Sequence, residues 1–241
     1  MSEANIQERA AAIRDQIAAA AKRAGRHSED ITLIAVSKTH PAEAIRAAFA
    51  LGVRHFGENR VQEWDGKRAA LQDLPGEWHL IGHLQSNKAA KAASMFHCVD
   101  SVDDFALAQR LDRARAEIGS DRKLRVLLEV RIAPEETKSG VERERLPELA
   151  ERVVTLESLA FQGLMCIPPF LDDPEKVRPY FDALRTMKEG LERRVGKPLP
   201  VLSMGMSHDF EVAIEEGATE IRVGTALFGV RTLLAPPESK P

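Results

Sequence analysis

The sequence predicts an α/β fold, specifically a single (β/α)8 TIM barrel with an extra amino-terminal helix. Short apolar runs alternate with helical patterns from residue 31 onward. Eight such runs can be placed, the number a closed barrel of this kind needs. The chain has 241 residues, close to the ~250 typical of one barrel. A doubly wound open sheet uses the same local signals. Right-handed crossovers make closure the favoured reading.

The elements follow in order. Ile6, Ile13, Ile17 and Ala21 share one face of a segment whose Arg9, Arg14 and Lys22 lie elsewhere, the spacing of an amphipathic helix. Strand candidates are 31–37, 54–58, 78–82, 96–100, 124–130, 160–167, 200–204 and 219–223. The first, Ile31 to Ser37, is almost continuously apolar, as a buried parallel strand should be. A proline-started helix follows it over Pro41–Leu51. Leu107, Leu111, Ala114 and Ile118 keep the helical period, as do Val177, Phe181, Leu184 and Leu191. Gly52, Gly119, Gly196 and Gly217 stand where helices should end. No low-complexity linker divides the chain, so residues 1–234 read as one domain. Residues 235–241, Ala-Pro-Pro-Glu-Ser-Lys-Pro, read as a disordered tail.

Composition excludes several classes. The formal charge is -3 and the basic residues are scattered, which argues against nucleic acid and acidic membrane surfaces as partners. Cys98 and Cys166, the 2 cysteines, form neither a metal-type pair nor a disulfide framework, which fits a reducing compartment. No apolar run approaches the ~18 residues of a membrane span, and the first ten residues lack a secretory pattern. A soluble cytoplasmic protein is expected.

The chemistry-bearing residues sit at the ends of predicted strands, where parallel α/β folds place their sites. Lys38 closes the first strand. Partial desolvation there would favour its neutral, nucleophilic amine, as a Schiff-base lysine requires. The seventh strand runs into Ser203-Met204-Gly205-Met206-Ser207, and a helix is expected to start near His208. That turn offers hydroxyls and convergent amides for a phosphate, although Ser207 could equally be an ordinary helix N-cap. The eighth strand leads into Gly224 and Thr225, whose amides would lie beside that turn. Arg222, within this strand, is costly to bury unless paired. Taken alone, an ion pair with a glutamate explains it best. An amine, a two-loop phosphate cradle and an interior arginine together match what pyridoxal 5'-phosphate (PLP) needs. A cation beside the ring nitrogen would disfavour its protonation.

The chain resembles the pyridoxal phosphate homeostasis protein family, small relatives of the alanine racemase amino-terminal domain. The likeness is carried by Ala35–Lys38, Phe56–Glu63, Trp78–Lys88, Gly163–Met165, Leu202–Ser207 and Arg222–Gly229, and it spans roughly residues 5–231. It implies PLP held on Lys38 as an internal aldimine, with Arg222 at the ring nitrogen. Ser203, Ser207, Gly224 and Thr225 would surround the phosphate, and Asn59 would lie near the cofactor. The family is described as regulating intracellular PLP and amino-acid balance, with no well-established turnover of its own. Racemase relatives take a second acid/base, a tyrosine, from an additional β-domain. This chain is expected to stop after the barrel, and its 1 tyrosine, Tyr180, lies in a helical stretch suited to packing.

Other residues have plainer readings. His79, His83 and Gln85 lie at the predicted mouth but lack a third metal ligand with suitable local spacing, so no metal is expected. Pocket lining or structural hydrogen bonding suits them better. His208 reads as a helix-start residue. Lys138 is the rival amine, in the loop after the fifth strand. Met165 and Cys166 line the barrel or touch the ring, and Cys166 has no adjacent base. Glu58 and Glu63 flank Asn59, and Glu58 calls for a lysine or arginine whose identity the sequence leaves open. The leading expectation is a PLP-binding homeostasis protein that buffers the cofactor or delivers it to apo-enzymes. The alternatives are a weak PLP-dependent amino-acid racemase or related Schiff-base enzyme, and a phosphosugar barrel enzyme using Lys38 as an aldolase-type amine.

Overall fold

Parallel strands whose two faces meet different surroundings dominate the structure, a computed structural model that describes residues 3–133 and 139–229. The strands are β1 (Thr32–Val36), β2 (His55–Glu58), β3 (Glu77–Leu80), β4 (Cys98–Val102), β5 (Leu124–Val130), β6 (Leu159–Cys166), β7 (Val201–Met206) and β8 (Glu220–Val223). They close in sequence order into one barrel, β8 pairing with β1. The open-sheet alternative is thereby excluded. The helices are α1 (Glu3–Arg23), α2 (Ala42–Ala50), α3 (Val61–Leu71), α4 (Ala89–Met95), α5 (Phe105–Ile118), α6 (Leu146–Val153), α7 (Arg178–Val195), α8 (Phe210–Glu215) and α9 (Thr225–Phe228). The predicted tail, 235–241, lies outside the described residues, as does Lys138.

Side-chain alternation sorts each strand into two environments. Outward residues such as Ala35, Phe56, Val99, Val126, Leu164, Leu202 and Ile221 join the large core between sheet and helices. The inward apolar patch is small: Cys98, Leu127 and Met165. Most barrel interiors of this type are filled by branched aliphatics. Here buried polar side chains, among them His79, Asp100, Ser203, Glu220 and Arg222, supply much of the filling.

Helix α1 lies over the β8–β1 seam, packed on α2, α8 and α9. Its predicted apolar face, Ile6, Ile13, Ile17 and Ala21, is buried. The α5 stripe is buried at Leu107, Leu111 and Ala114, but Ile118, in its last turn, is exposed. Gly119 and Gly196 terminate α5 and α7 in the left-handed conformation (φ 65° and 69°), which a side chain would strain.

Gly163, on β6, faces Val201 on β7 so closely that a Cβ there would sit 1.9 Å from the Val201 carbonyl oxygen. Gly190, within α7, has nothing within 4 Å of a built Cβ. Gly163→Ala is therefore expected to destabilise the fold by about 3 kcal/mol, the upper range for overpacking. Gly190→Ala should stabilise it by about 0.5–1 kcal/mol. Urea unfolding checks both, and equal effects would contradict the packing described.

Candidate functional site

A cavity of about 470 Å³ opens at the carboxyl ends of the strands. Six residues expected at the site line it together: Lys38, Asn59, Ser207, Arg222, Gly224 and Thr225.

Lys38 is held by the backbone rather than by burial. β1 ends at Val36, and Ser37 to His40 form a turn closed by the His40 N–H to the Ser37 carbonyl at 3.0 Å. Thr39 takes φ 65°, the one positive-φ non-glycine among the described residues. A β-branched residue pays about 1–2 kcal/mol for that conformation. Such strain persists only where neighbours over-determine it. Here Ser37 Oγ donates to Glu58 Oε1 at 2.8 Å, and Lys67 Nζ donates both to the Ser37 carbonyl and to Glu58 Oε1, each at 2.8 Å. Lys67 is thus the partner that Glu58 required. Burial pushes the Glu58 carboxyl above its ordinary range, against the pull of Lys67. Lys38 itself is exposed, so the desolvation expected from its strand-end position is absent.

The wall beside Lys38 is made by the loops after β7 and β8. Ser207 Oγ accepts the N–H groups of Gly224 and Ala226, both at 3.3 Å, which ties the two loops together. Ser207 is therefore not the N-cap of α8. That helix starts at Phe210, two residues beyond the expected position. Asp209 closes the preceding turn by accepting the Met206 N–H at 2.6 Å, and burial raises its carboxyl pKa. Thr225 opens α9, so its N–H has no intrahelical acceptor.

Ser203 does not belong to that cradle. It is fully buried on β7, absent from the cavity lining, and accepts a hydrogen bond from Arg222 Nη1 at 2.8 Å. Arg222 Nη2 donates to the Cys166 carbonyl at 2.7 Å. Both acceptors are neutral, and among the described residues no carboxylate makes an ion pair with this arginine. The glutamate pairing expected for an isolated interior arginine is not what the structure contains. A buried guanidinium that lines a cavity without a bonded counter-charge suits an electron-rich ligand.

The remaining residues separate clearly. Asn59 borders the cavity, and its loop lies so close to Gly82 that a Cβ there would fall 2.4 Å from the Asn59 carbonyl oxygen. Glu63 caps α3 by accepting the Asn59 and Arg60 N–H groups at 3.1 and 3.3 Å. His83 and His208 reach the mouth, while Tyr180 is half-buried on α7 and does not line it. Cys166 is buried, and burial pushes its thiol up to about 12. Met165 faces the lumen, and neither residue lines the cavity.

His79 is wholly buried below the mouth. It bonds Asp100 through Nδ1 at 3.3 Å and His55 through Nε2 at 3.0 Å. Burial acts to lower its pKa, yet the charge and hydrogen bond of Asp100 outweigh it and the net direction is upward. Burial and the charge of His79 instead hold His55 down to about 4. The ligand atoms of His79, Cys98 and Asp100 lie within 4.8 Å of one another, a set whose Cys98 and Asp100 sequence spacing did not suggest. Burial drives the Cys98 thiol well above its usual range, which opposes metal ligation through a thiolate.

Likeness to known proteins bears on this geometry. The profile of the alanine racemase N-terminal domain matches residues 9–232. The pyridoxal phosphate homeostasis protein of Aquifex aeolicus is 47% identical over 229 residues, covering 94% of this chain and 99% of that one. The protein of the same name from Escherichia coli K12 is 44% identical over 234 residues, covering 94% and 97%. This chain belongs to the pyridoxal phosphate homeostasis protein family. Among solved members of similar sequence, PipY of Synechococcus elongatus with PLP bound superposes with TM-score 0.80 at 44% identity, covering 93% of this chain and 100% of that one. Alanine racemase of Corynebacterium glutamicum, at 18% identity and TM-score 0.65, shares the fold.

For this member of the family, the His79–Asp100 pair predicts a pH dependence. A histidine whose folded pKa is raised adds stability that is complete below its unfolded value, about 6.5, and lost as pH rises through the folded one. The stability difference between wild type and His79→Gln should shrink as pH rises above about 6.5. Chemical denaturation at several pH values checks this, and a difference independent of pH would contradict it.

Proposed function

We propose that this protein binds pyridoxal 5'-phosphate, holds it on Lys38, and serves intracellular PLP homeostasis. The carrying observation is that one cavity is lined at once by an accessible amine, a buried arginine without a bonded counter-charge, and the joined β7 and β8 loops. The donor set fits the cofactor part by part. Lys38 offers an amine to an aldehyde. The Ser207 hydroxyl and the Thr225 amide offer donors to a phosphate, and the Gly224 amide holds Ser207 beside them. Arg222 offers a cation to the ring nitrogen, and Asn59 an amide to a polar ring substituent. PLP supplies an aldehyde that condenses with amines and a ring that withdraws electrons.

The names of the relatives and the PLP-bound state of PipY support this reading. Ser203 is left out of the phosphate set and is assigned instead to holding Arg222 in place. Delivery of the cofactor to PLP-dependent apo-enzymes is part of the proposal, and the exposure of Lys38 at an open mouth is compatible with release. A cytoplasmic setting is proposed from two buried cysteines left as free thiols. Among the described residues no helix is long and apolar enough to cross a membrane.

Lys38→Ala tests the assignment. The variant should fold with unchanged circular dichroism, because the residue is exposed beyond the strand. It should also lose the visible absorbance that wild type acquires with PLP. Retained absorbance would point to another amine, Lys138 first.

A further inference from the structure

Lys67 reaches the site without entering it. It projects from α3 and does not line the cavity that Lys38 borders, and neither do its two acceptors, Ser37 and Glu58. Its amine donates to the Ser37 carbonyl and to Glu58 Oε1, each at 2.8 Å. An ion pair would need only the second of these bonds. The first falls on the residue immediately before Lys38. That same carbonyl accepts the His40 N–H at 3.0 Å, the bond that closes the turn carrying Lys38.

The grip on Ser37 extends to its other polar groups. Its N–H donates to the Gly57 carbonyl at 3.0 Å and its Oγ to Glu58 Oε1 at 2.8 Å. Ser37 and Glu58 are fully buried, and Lys67 is half-buried. Glu58 Oε2 is buried with no hydrogen-bond partner among the described residues, so Oε1 carries every bond the carboxylate makes. Lys67 and Ser37 are therefore the anchors of Glu58, and it is theirs. Bonds of this kind, charged and sheltered from water, are strong and directional.

What they hold is the conformation beyond them. The chain passes through Thr39 at φ 65°, which a β-branched residue keeps only under constraint. Lys38 is exposed, so packing of its own side chain does not fix where its amine stands. The turn has to do so.

We propose that Lys67 is a positioning residue for the covalent step at Lys38: through the Ser37 carbonyl and Glu58 it preforms the turn that presents the amine to the aldehyde, without touching the ligand. The inference rests on the functional reading above and deepens it. In that step the Lys38 nitrogen forms a double bond to the aldehyde carbon, and the aldehyde oxygen leaves as water with the two amine protons. In the same reading, phosphate and ring are held by other elements, the loops after β7 and β8 and Arg222. Loosening the Ser37 turn should thus weaken the bond to the aldehyde and spare the remaining contacts. Where reacting atoms must meet, a misplacement of about 1 Å costs on the order of 100-fold.

The test uses the full chain freed of cofactor, in wild type, Lys67→Met, Lys67→Arg and the neutral pair Glu58→Gln/Lys67→Met. Each is titrated with PLP and with pyridoxine 5'-phosphate, in which an alcohol replaces the aldehyde. Thermal unfolding reports folding separately. Wild type should prefer the aldehyde. In Lys67→Met that preference should fall about tenfold or more, while the alcohol binds as it does to wild type, because Lys67 lies outside the cavity. Arginine can donate to both acceptors at once, so Lys67→Arg should keep most of the preference. Lys67→Met strands the Glu58 charge. The double variant strands none and leaves Ser37 Oγ an acceptor, so its equal loss of preference decides the matter if Lys67→Met fails to fold. Amide hydrogen exchange of the cofactor-free wild type needs no variant: the His40 N–H should exchange at least about tenfold more slowly than an unstructured amide. Equal weakening of both ligands, an unchanged preference in a folded variant, or an unprotected His40 amide overturns the inference. Wild type that binds PLP no better than the alcohol would instead overturn the functional reading itself.

Discussion

The pairing of β1 with β8 is the contact on which the site depends. Its register, Thr32 on Glu220 through Ala35 on Val223, brings the first strand of the barrel against the last. Lys38 thereby comes to share a cavity with Arg222, Gly224 and Thr225, from the opposite end of the described chain. The approach is close: a Cβ on Gly224 would lie 3.3 Å from the Val36 Cβ, tighter than ordinary packing. Helix α1 reinforces the seam by burying its isoleucine face across it. Its exposed ion pairs, Arg23 with Glu211 and Glu215, add little beside that burial.

Below the mouth, the barrel is stabilised by pairing charges rather than by excluding them. His79 answers Asp100, and Arg125 answers Glu77. Removing one member of such a pair strands the other in a medium of low polarity, which costs more than the pair contributes. Arg222 differs from these groups. Its bonded partners are neutral and it borders open space, so its charge is directed at whatever enters the cavity. Structural and ligand-facing charges thus occupy successive layers of one lumen. The boundary between them falls near Ser203, which touches Arg222 but not the cavity.

Much of this was legible in the chain. Apolar runs located all eight strands, because a strand buried on its outer face must keep that face apolar whatever the lumen contains. Strand ends placed Lys38, Ser207, Gly224 and Thr225 together, since parallel topology sends every carboxyl end to one mouth. Errors arose where side-chain direction mattered. Ser203 and Ser207 look equivalent in sequence, but one lies within the strand and the other in the loop beyond it. The His79–Asp100 contact joins two strands whose register only the folded sheet defines. The strained Thr39 turn was invisible for a related reason: its support comes from Lys67 on another helix.

The central claim is that Lys38 is the amine that holds the aldehyde. Its most direct test is peptide mass spectrometry of the full chain after incubation with PLP and reduction with borohydride. The account predicts a stable phosphopyridoxyl addition on the peptide containing Lys38 and on no other. An unmodified Lys38 peptide at saturating PLP, or modification confined to a different lysine, would contradict it.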